Sequence, residues 1–206
     1  MIVEYRNLDN QKITSQKAFH IEEYSEVHID EISGLIKIEK FFSNKELLAI
    51  NYYLDSSENE LDKINEVRNL SDRFWITTRE YYNGLLIEDT KDFSNNAVLG
   101  FHSRNLHNNK GEVICREELD LNTHLPLYEN TVKYLFNDSG DELLEATYNS
   151  DGSLEYITYK PDYYNNQDWE SYDRTSFYEL QSKFKKDLSY YLIATLESPL
   201  ICKEFL

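Results

Sequence analysis

The side chains in this chain best suited to metal binding or proton transfer are its five histidines, His20, His28, His102, His107 and His124. His102 and His107 are five positions apart on a predicted strand, so their imidazoles are expected on opposite faces. His20 and His28 are eight positions apart, or about 26 Å along an extended strand, which is too far for one metal ion to bridge. The spacing therefore predicts neither a metal site nor a catalytic histidine pair.

Carboxylates are the second group that could do chemistry, and the chain has 38 of them. Adjacent pairs such as Glu22–Glu23, Glu117–Glu118 and Asp141–Glu142 arise by chance at this abundance, and we interpret them as solvated positions. The sequence also lacks a phosphate-binding glycine loop, a His-Glu-x-x-His motif, a nucleophile elbow and a Cys-x-x-Cys pair. We therefore expect a protein that is not an enzyme and that holds no cofactor and no metal.

Acidic and aromatic residues alternate in the segment from residue 161 to residue 173, which contains four of each and no basic residue. Tyrosine and tryptophan are enriched in binding hot spots, and carboxylates around them would pair with Arg or Lys of a basic partner. The alternative is that these rings are buried where the chain crosses from sheet to helix. On the first interpretation the partner-binding residues are Asp162, Tyr163, Tyr164, Asp168, Trp169, Glu170, Tyr172 and Asp173.

The formal net charge of −17 is spread along the chain. Residues 1–119 carry 22 acidic and 14 basic side chains, and residues 120–206 carry 16 and 7. The charge thus belongs to the folded surface and not to an acidic tail. Such a surface repels nucleic acid and anionic membranes and attracts basic proteins, although acidity can also serve solubility alone.

The composition indicates a folded, cytoplasmic protein with one domain over residues 1–206. Glycine (6) and proline (3) are too scarce for a flexible linker, and aromatic residues make up 14% of the chain. Cys115 and Cys202 form no spaced motif. The sequence has no pattern typical of a signal peptide and no apolar run of membrane-spanning length.

The elements that must position these residues are predicted best between Thr131 and Tyr159. Three β-prone runs there are separated by Asn-Asp-Ser-Gly and Asn-Ser-Asp-Gly, clusters typical of tight turns. This pattern predicts an antiparallel meander. We expect Gly140 and Gly152 to adopt the positive φ that such turns require.

Further elements follow from turn signals and periodicity. The segment after Ser43 fits either a hairpin return or a helix capped by Ser43, and the matched lengths of residues 35–42 and 47–54 favour the hairpin. Ser176 and Glu179 form a predicted capping box for a C-terminal helix. The remaining predictions are a helix at 57–67 capped by Ser57, strand pairs at 74–82 with 85–90 and 97–106 with 112–119, an irregular segment at 161–174, and a C-terminal helix at 177–197.

Together these elements predict an α+β fold. It consists of a mainly antiparallel β-meander sheet of about eight to ten strands, with hairpins over residues 34–159, a short helix, and a C-terminal helix packed on the sheet.

Five glycines occupy equivalent places, each in a turn before an apolar strand start: Gly34, Gly84, Gly111, Gly140 and Gly152. The stretches Tyr-Tyr-Asn-Gly-Leu-Leu (81–86) and Tyr-Asn-Ser-Asp-Gly-Ser-Leu (148–154) resemble the hairpin units of YwqK-like antitoxin proteins with MORN-type repeats. The meander is also similar to immunity proteins of bacterial polymorphic toxin systems.

This resemblance implies a function without implying a residue-level site. The expected function is that of an immunity protein, or antitoxin, which binds a cognate basic toxin, a nuclease being one kind, and covers its active site. The alternative is a non-catalytic interaction scaffold of β-hairpin repeats.

Overall fold

The computed structural model describes residues 1–82, 84–94, 96–161, 168–185 and 187–196. These residues form one mainly antiparallel sheet, which confirms the predicted meander, and the sheet has thirteen strands where about eight to ten were expected. The strands are β1 Ile2–Arg6, β2 Lys12–Ile13, β3 Glu23–Ile29, β4 Ile36–Ser43, β5 Glu46–Leu54, β6 Arg73–Tyr82, β7 Leu85–Ser94, β8 Val98–His107, β9 Val113–Leu119, β10 Pro126–Phe136, β11 Glu142–Tyr148, β12 Leu154–Tyr159 and β13 Glu170–Asp173.

Within the described ranges, the helices are short: α1 Ser15–Ala18, α2 Glu60–Val67 and α3 Phe177–Phe184, with a 3₁₀ turn at Ser189–Leu192. The strands are hydrogen-bonded in sequence order from β13 down to β3, followed by β1 and then β2. Contacts divide the chain into two compact units. Unit 1 comprises Met1–Arg79 and Asp89–His102, and unit 2 comprises Glu80–Glu88 and Ser103–Leu206.

In unit 1 the hairpin interpretation of the segment after Ser43 is confirmed. Asn44 and Lys45 form the two-residue turn between β4 and β5, with φ of 49° and 69°. Positive φ at both positions matches the twist of the flanking strands. The next pair is different, because β5 and β6 run parallel and α2 makes the crossover between them. The core of this unit contains Ile50, Tyr52, Val67, Phe74, Ile76 and Phe93.

In unit 2 the predicted meander is confirmed as β10, β11 and β12, which pair antiparallel. Two turns of this unit, β8–β9 and β10–β11, are set by asparagine side chains. Asn108 Oδ1 accepts the backbone N–H of Glu112 at 3.0 Å, and Asn137 Oδ1 accepts that of Asp141 at 2.9 Å. The glycine fourth in each turn has positive φ, as the sequence predicted. The main core contains Leu144, Ala146, Tyr148, Leu154, Ile157, Phe177, Leu180, Leu188, Tyr190, Tyr191 and Ala194.

A second loop type was missed in the sequence, and it occurs at Asp30 in unit 1 and at Asp120 and Asp173 in unit 2. Asp30 Oδ1 accepts the backbone N–H groups of Ile32 and Ser33 and the Ser33 hydroxyl. Asp120 Oδ1 makes the same three bonds to Asn122 and Thr123. An aspartate followed three positions later by Ser or Thr is the common signal, and it is a known turn-forming combination.

The predicted C-terminal helix over 177–197 is wrong beyond Phe184. Lys185 has φ of 53°, a left-handed conformation that ends the helix there. The capping box is also wrong, because the Ser176 side chain does not cap the helix and its hydroxyl donates to Asp173 Oδ1 at 2.8 Å.

Two other boundaries need correction. Helix α2 is capped by Asn59, which accepts the Asp62 N–H, and not by Ser57. The segment 161–174, predicted to be irregular, contains β13, which pairs with β12.

Gly152 should be the turn glycine least tolerant of substitution. Its φ is +80°, and an added Cβ would lie 3.2 Å from the Tyr128 ring. We expect Gly152→Ala to lower the free energy of unfolding by about 2–4 kcal/mol, combining backbone strain with overpacking. Chemical denaturation of the purified variant measures this.

The matched control is Gly111→Ala, since Gly111 has φ of +82° but open space where the Cβ would stand. Strain alone should cost about 1 kcal/mol there. Equal losses at the two positions would show that the contact with Tyr128 does not matter.

Candidate functional site

Strands β9 to β13 of unit 2 have one buried and one open face. The register places Cys115, Lys133, Ala146 and Ile157 side by side on one face, and all four are buried. Directly paired residues share a face and neighbouring residues along a strand alternate. The opposite face therefore carries two rows that we call the outer face: Arg116, Val132, Thr147, Tyr156 and Asp173, then Tyr134, Glu145, Thr158 and Ser171.

No residue of the outer face is buried, and Tyr156 is 39% exposed. The face combines tyrosine rings, hydroxyls and carboxylates on hydrogen-bonded strands. Tyr134 begins the second row and is directly paired with Glu145. Burial raises the pKa of Tyr134, Arg116 opposes the rise, and Glu145 adds to it. The phenol is therefore a neutral hydrogen-bonding group near pH 7.

A buried lysine borders this face. Lys160 is 6% exposed and forms ion pairs with Glu142 and, at 2.5 Å, with Glu145. Its ammonium also lies 4.7 Å from the centre of the Trp169 ring, a cation–π geometry. Burial lowers the pKa of Lys160, but the bonds to the two carboxylates outweigh it and the net shift is upward. This cluster fixes the exposed Trp169 beside the outer face.

The predicted partner-binding segment is divided by the alternation of β13. Glu170 pairs with Tyr159 and Tyr172 with Ile157, which places both on the buried side of the sheet. The Glu170 carboxylate accepts from Lys183 of α3 at 2.8 Å and from the Tyr172 hydroxyl. These two side chains are thus engaged within the fold.

Asp173 lies on the outer face but also builds a turn. Its carboxylate accepts the backbone N–H of Ser176 at 2.9 Å and the Thr175 hydroxyl at 2.7 Å. The Thr175 hydroxyl and the Ser176 N–H lower the pKa of Asp173 to about 2. Asp168 and Trp169 are exposed, and Trp169 has 38% of its surface accessible. Asp162, Tyr163 and Tyr164 lie outside the described residues.

The sequence reasoning missed Tyr134, Glu145, Tyr156 and Lys160. The period-2 alternation of the meander was a usable signal for the first three, because it separates Leu144, Ala146 and Tyr148 from the residues between them. Their assembly into two rows depends on strand register, which that pattern does not specify.

His102 and His107 each lie beside a different carboxylate and not beside each other. His102 Nε2 lies 2.7 Å from Asp89 Oδ1, and His107 Nε2 lies 3.2 Å from Glu88 Oε2. Within the described ranges, no three side chains of His, Cys, Asp or Glu are grouped so that they would hold a metal ion.

Unit 1 contains a cleft of about 490 Å³ among β1, β3, β4 and β5. Four aromatic side chains contribute to its wall, and its charged groups are Arg6, Glu23 and Glu39. Arg6 already interacts with Asn10 at 3.0 Å and with Glu4 at 3.7 Å. The volume of this cleft falls in the range of small-molecule pockets.

Comparisons with protein-family models, with curated proteins and with solved structures gave no significant match. Among the residues that the structure describes, no helix combines the length and the apolar composition needed to cross a bilayer.

Lys160→Met should destabilise the protein by about 2–3 kcal/mol at pH 7, because it leaves Glu142 and Glu145 together without their cation. Burial already raises the pKa of Glu142, and losing Lys160 raises it further. An acid whose folded-state pKa is raised gains stability as pH falls. The difference in free energy of unfolding between the wild-type protein and Lys160→Met should therefore become smaller as the pH falls from 7 to 5. Denaturant unfolding at each pH measures it.

Lys183→Met is the control, since the Lys183–Glu170 pair is about half exposed and should matter little. A Lys160→Met deficit that stays constant with pH would contradict the proposed role of the lysine.

Proposed function

We propose that this protein is an immunity protein, which binds a basic bacterial toxin through the outer face of unit 2 and covers the active site of that toxin. The observation that carries the proposal is the outer face itself, on which the exposed Tyr156 and Asp173 and the partly exposed Tyr134 and Glu145 lie on hydrogen-bonded strands. The Trp169 ring beside it belongs to the same surface.

The charge of unit 2 supports a basic partner. Counted from the sequence, unit 2 has 21 acidic and 10 basic side chains, and unit 1 has 17 and 11. The net charge is thus −11 for unit 2 against −6 for unit 1. A charged surface of this kind speeds association with a partner of opposite sign and makes it sensitive to salt.

The rings on this surface supply the other requirement of a tight interface. Tyr156 and Trp169 are both more than one-third exposed, and the Trp169 ring is held by the Lys160 ammonium. Rigid aromatic side chains provide large contact areas at a low entropic cost, and they dominate many interfaces.

Covering an active site is the mode of inhibition that fits this chemistry best. A toxin that cleaves nucleic acid has a basic cleft for phosphates, and carboxylates can occupy the same sites while rings take the place of bases. The outer face would then block substrate without any catalytic step of its own.

A scaffold of β-hairpin repeats is the second candidate. The repeated asparagine turns at Asn7, Asn108 and Asn137 favour it, since each Oδ1 accepts the N–H four residues ahead. A scaffold would bind abundant proteins rather than one toxin.

The first test is affinity purification of the tagged protein from cells that carry its gene, at low and at moderate salt, with mass-spectrometric identification. We expect one stoichiometric basic partner that is lost as salt rises and that is toxic when expressed alone. A mixture of abundant proteins would favour the scaffold instead.

The second test uses the partner so identified. A triple variant, Glu155→Lys, Asp168→Lys and Tyr156→Ala, reverses two exposed carboxylates that border the outer face and removes an exposed ring that belongs to it. We expect binding to weaken at least about 30-fold, since about 2 kcal/mol is lost at an interface centre. Isothermal titration calorimetry measures the affinity.

The matched control makes the same changes on unit 1, as Asp9→Lys, Asp72→Lys and Phe19→Ala, all at exposed positions. Its net charge is the same, so general electrostatic attraction is equally weakened. Equal losses of affinity in the two triples would remove the outer face from the interface.

A further inference from the structure

The buried side of β9 and β10 carries charged groups where apolar side chains are usual. Lys133 and Glu117 both have no exposed surface, and Cys115 beside them is also fully buried. Burying an ion is costly unless hydrogen bonds and opposite charges compensate for the lost water. The contacts that compensate here identify the segment on which these charges depend.

That segment is residues 187–196, which we call the strap. The Lys133 ammonium donates to the carbonyl oxygens of Tyr190 at 2.8 Å and Ile193 at 2.7 Å, and it lies 3.7 Å from the centre of the Tyr190 ring. Glu117 Oε1 accepts the backbone N–H of Leu196 at 2.8 Å. The other Glu117 oxygen accepts from Arg104 at 2.8 Å.

The rest of the strap packs into the main core of unit 2 through Leu188, Tyr190, Tyr191 and Ala194, and further hydrogen bonds hold it there. Ala194 N–H donates to the Gly152 carbonyl at 3.0 Å, and the Tyr191 hydroxyl donates to the Tyr134 carbonyl at 3.2 Å. Leu196 is 5% exposed and packs with Leu106 and Cys115. The strap has a 3₁₀ turn and a single β-bridge but no strand, so backbone atoms bonded to two buried charges are its main polar anchors.

We propose that the strap is a pH-sensitive closure of unit 2, which opens locally to give water access to Glu117, Lys133 and Cys115 and which acid holds shut. The charged and titratable groups that face the two anchors are Arg104 on β8, Cys115 on β9, Tyr148 on β11, and Tyr190 and Tyr191 on the strap.

The direction of the pH effect follows from Glu117. Burial raises its pKa in the closed state, although Arg104, the Leu196 N–H and Lys133 oppose the rise. Opening returns the carboxyl to water and to its ordinary pKa. The closed state therefore binds more protons than the open state as pH falls from 7 toward 5, and the strap closes more tightly.

The neighbouring groups do not change this direction below pH 7.5. Burial lowers the pKa of Lys133 to about 8, so the lysine is mostly protonated in both states. Burial raises the pKa of Cys115 to about 12, and it raises the pKa values of Tyr148 and Tyr190 as well, so all three stay protonated. The pH dependence over this range should come from Glu117.

Cys115 reports opening directly, because its thiol is fully buried when the strap is closed. In a Cys202→Ser background, labelling by 4,4′-dithiodipyridine is followed at pH 5.5 and pH 7.5 and divided by the rate for the unfolded chain at the same pH. We expect the normalised rate to be lower at pH 5.5 than at pH 7.5, because the closed state binds more protons than the open state at the lower pH.

Glu117→Gln should remove this pH dependence. A second pair of variants does not alter the charges: Leu196→Ala should accelerate labelling at least about tenfold by removing a buried anchor. Ile193→Ala, on the same strap but 55% exposed, should leave the rate unchanged.

Three results would overturn the proposal. The first is equal normalised labelling rates at the two pH values, and the second is a pH dependence that persists in Glu117→Gln. The third is a labelling rate that depends on urea concentration as steeply as global unfolding does. The last result would show that Cys115 is reached only when the whole unit unfolds.

Discussion

The ammonium group of Lys133 has no exposed surface, and the structure of unit 2 depends on how that charge is satisfied. Two strap carbonyls and the Tyr190 ring meet it, and Glu117 lies on the neighbouring strand. Because the two carbonyls and the ring belong to the strap, the strap covers Lys133 on one face of β9–β13. The opposite face has no residue from its two rows buried, and it is the face that we propose binds the partner.

The division between the two faces also explains how the acidic segment is used. The sequence at 168–173 does not distinguish the carboxylates and rings that face inward from those that face outward. Strand alternation directs Glu170 and Tyr172 toward α3 and the core. Trp169 is held beside the outer face by Lys160. A surface suited to recognition is thus built from parts of the meander together with part of the segment that the composition had singled out.

Local features of the fold could be predicted from the sequence because local atoms determine them. The turns at Gly140 and Gly152 need positive φ, and the asparagines before them bond within five residues, so the meander could be placed closely. The hairpin between β4 and β5 follows from matched lengths and a turn of two residues. The glycine-turn pattern identified in the sequence is present at all five positions.

Features that depend on distant residues could not be predicted. The parallel pairing of β5 with β6 requires α2 to cross between them, and nothing in Glu46–Leu54 marks the direction of its neighbour. The helical spacing after Phe177 continues beyond Lys185, yet the chain turns there so that its next residues can cover Lys133. For the candidate site, the sequence shows which residue types are available for binding. The strand register determines which of these side chains lie side by side, and the sequence does not specify that register.

If the outer face of unit 2 binds a basic protein, as we propose, carboxylates on and beside this face lie against lysines of the partner. Zero-length carbodiimide cross-linking of the purified complex, read by mass spectrometry, tests this proposal most directly because it joins carboxylates to partner lysines in contact with them. If the outer face is the interface, we expect cross-links from Asp168, Asp173 and Glu155. The Glu155 carboxylate contacts Thr147 of the outer face. Cross-links confined to carboxylates of unit 1, such as Asp9 and Asp72, would contradict the proposal.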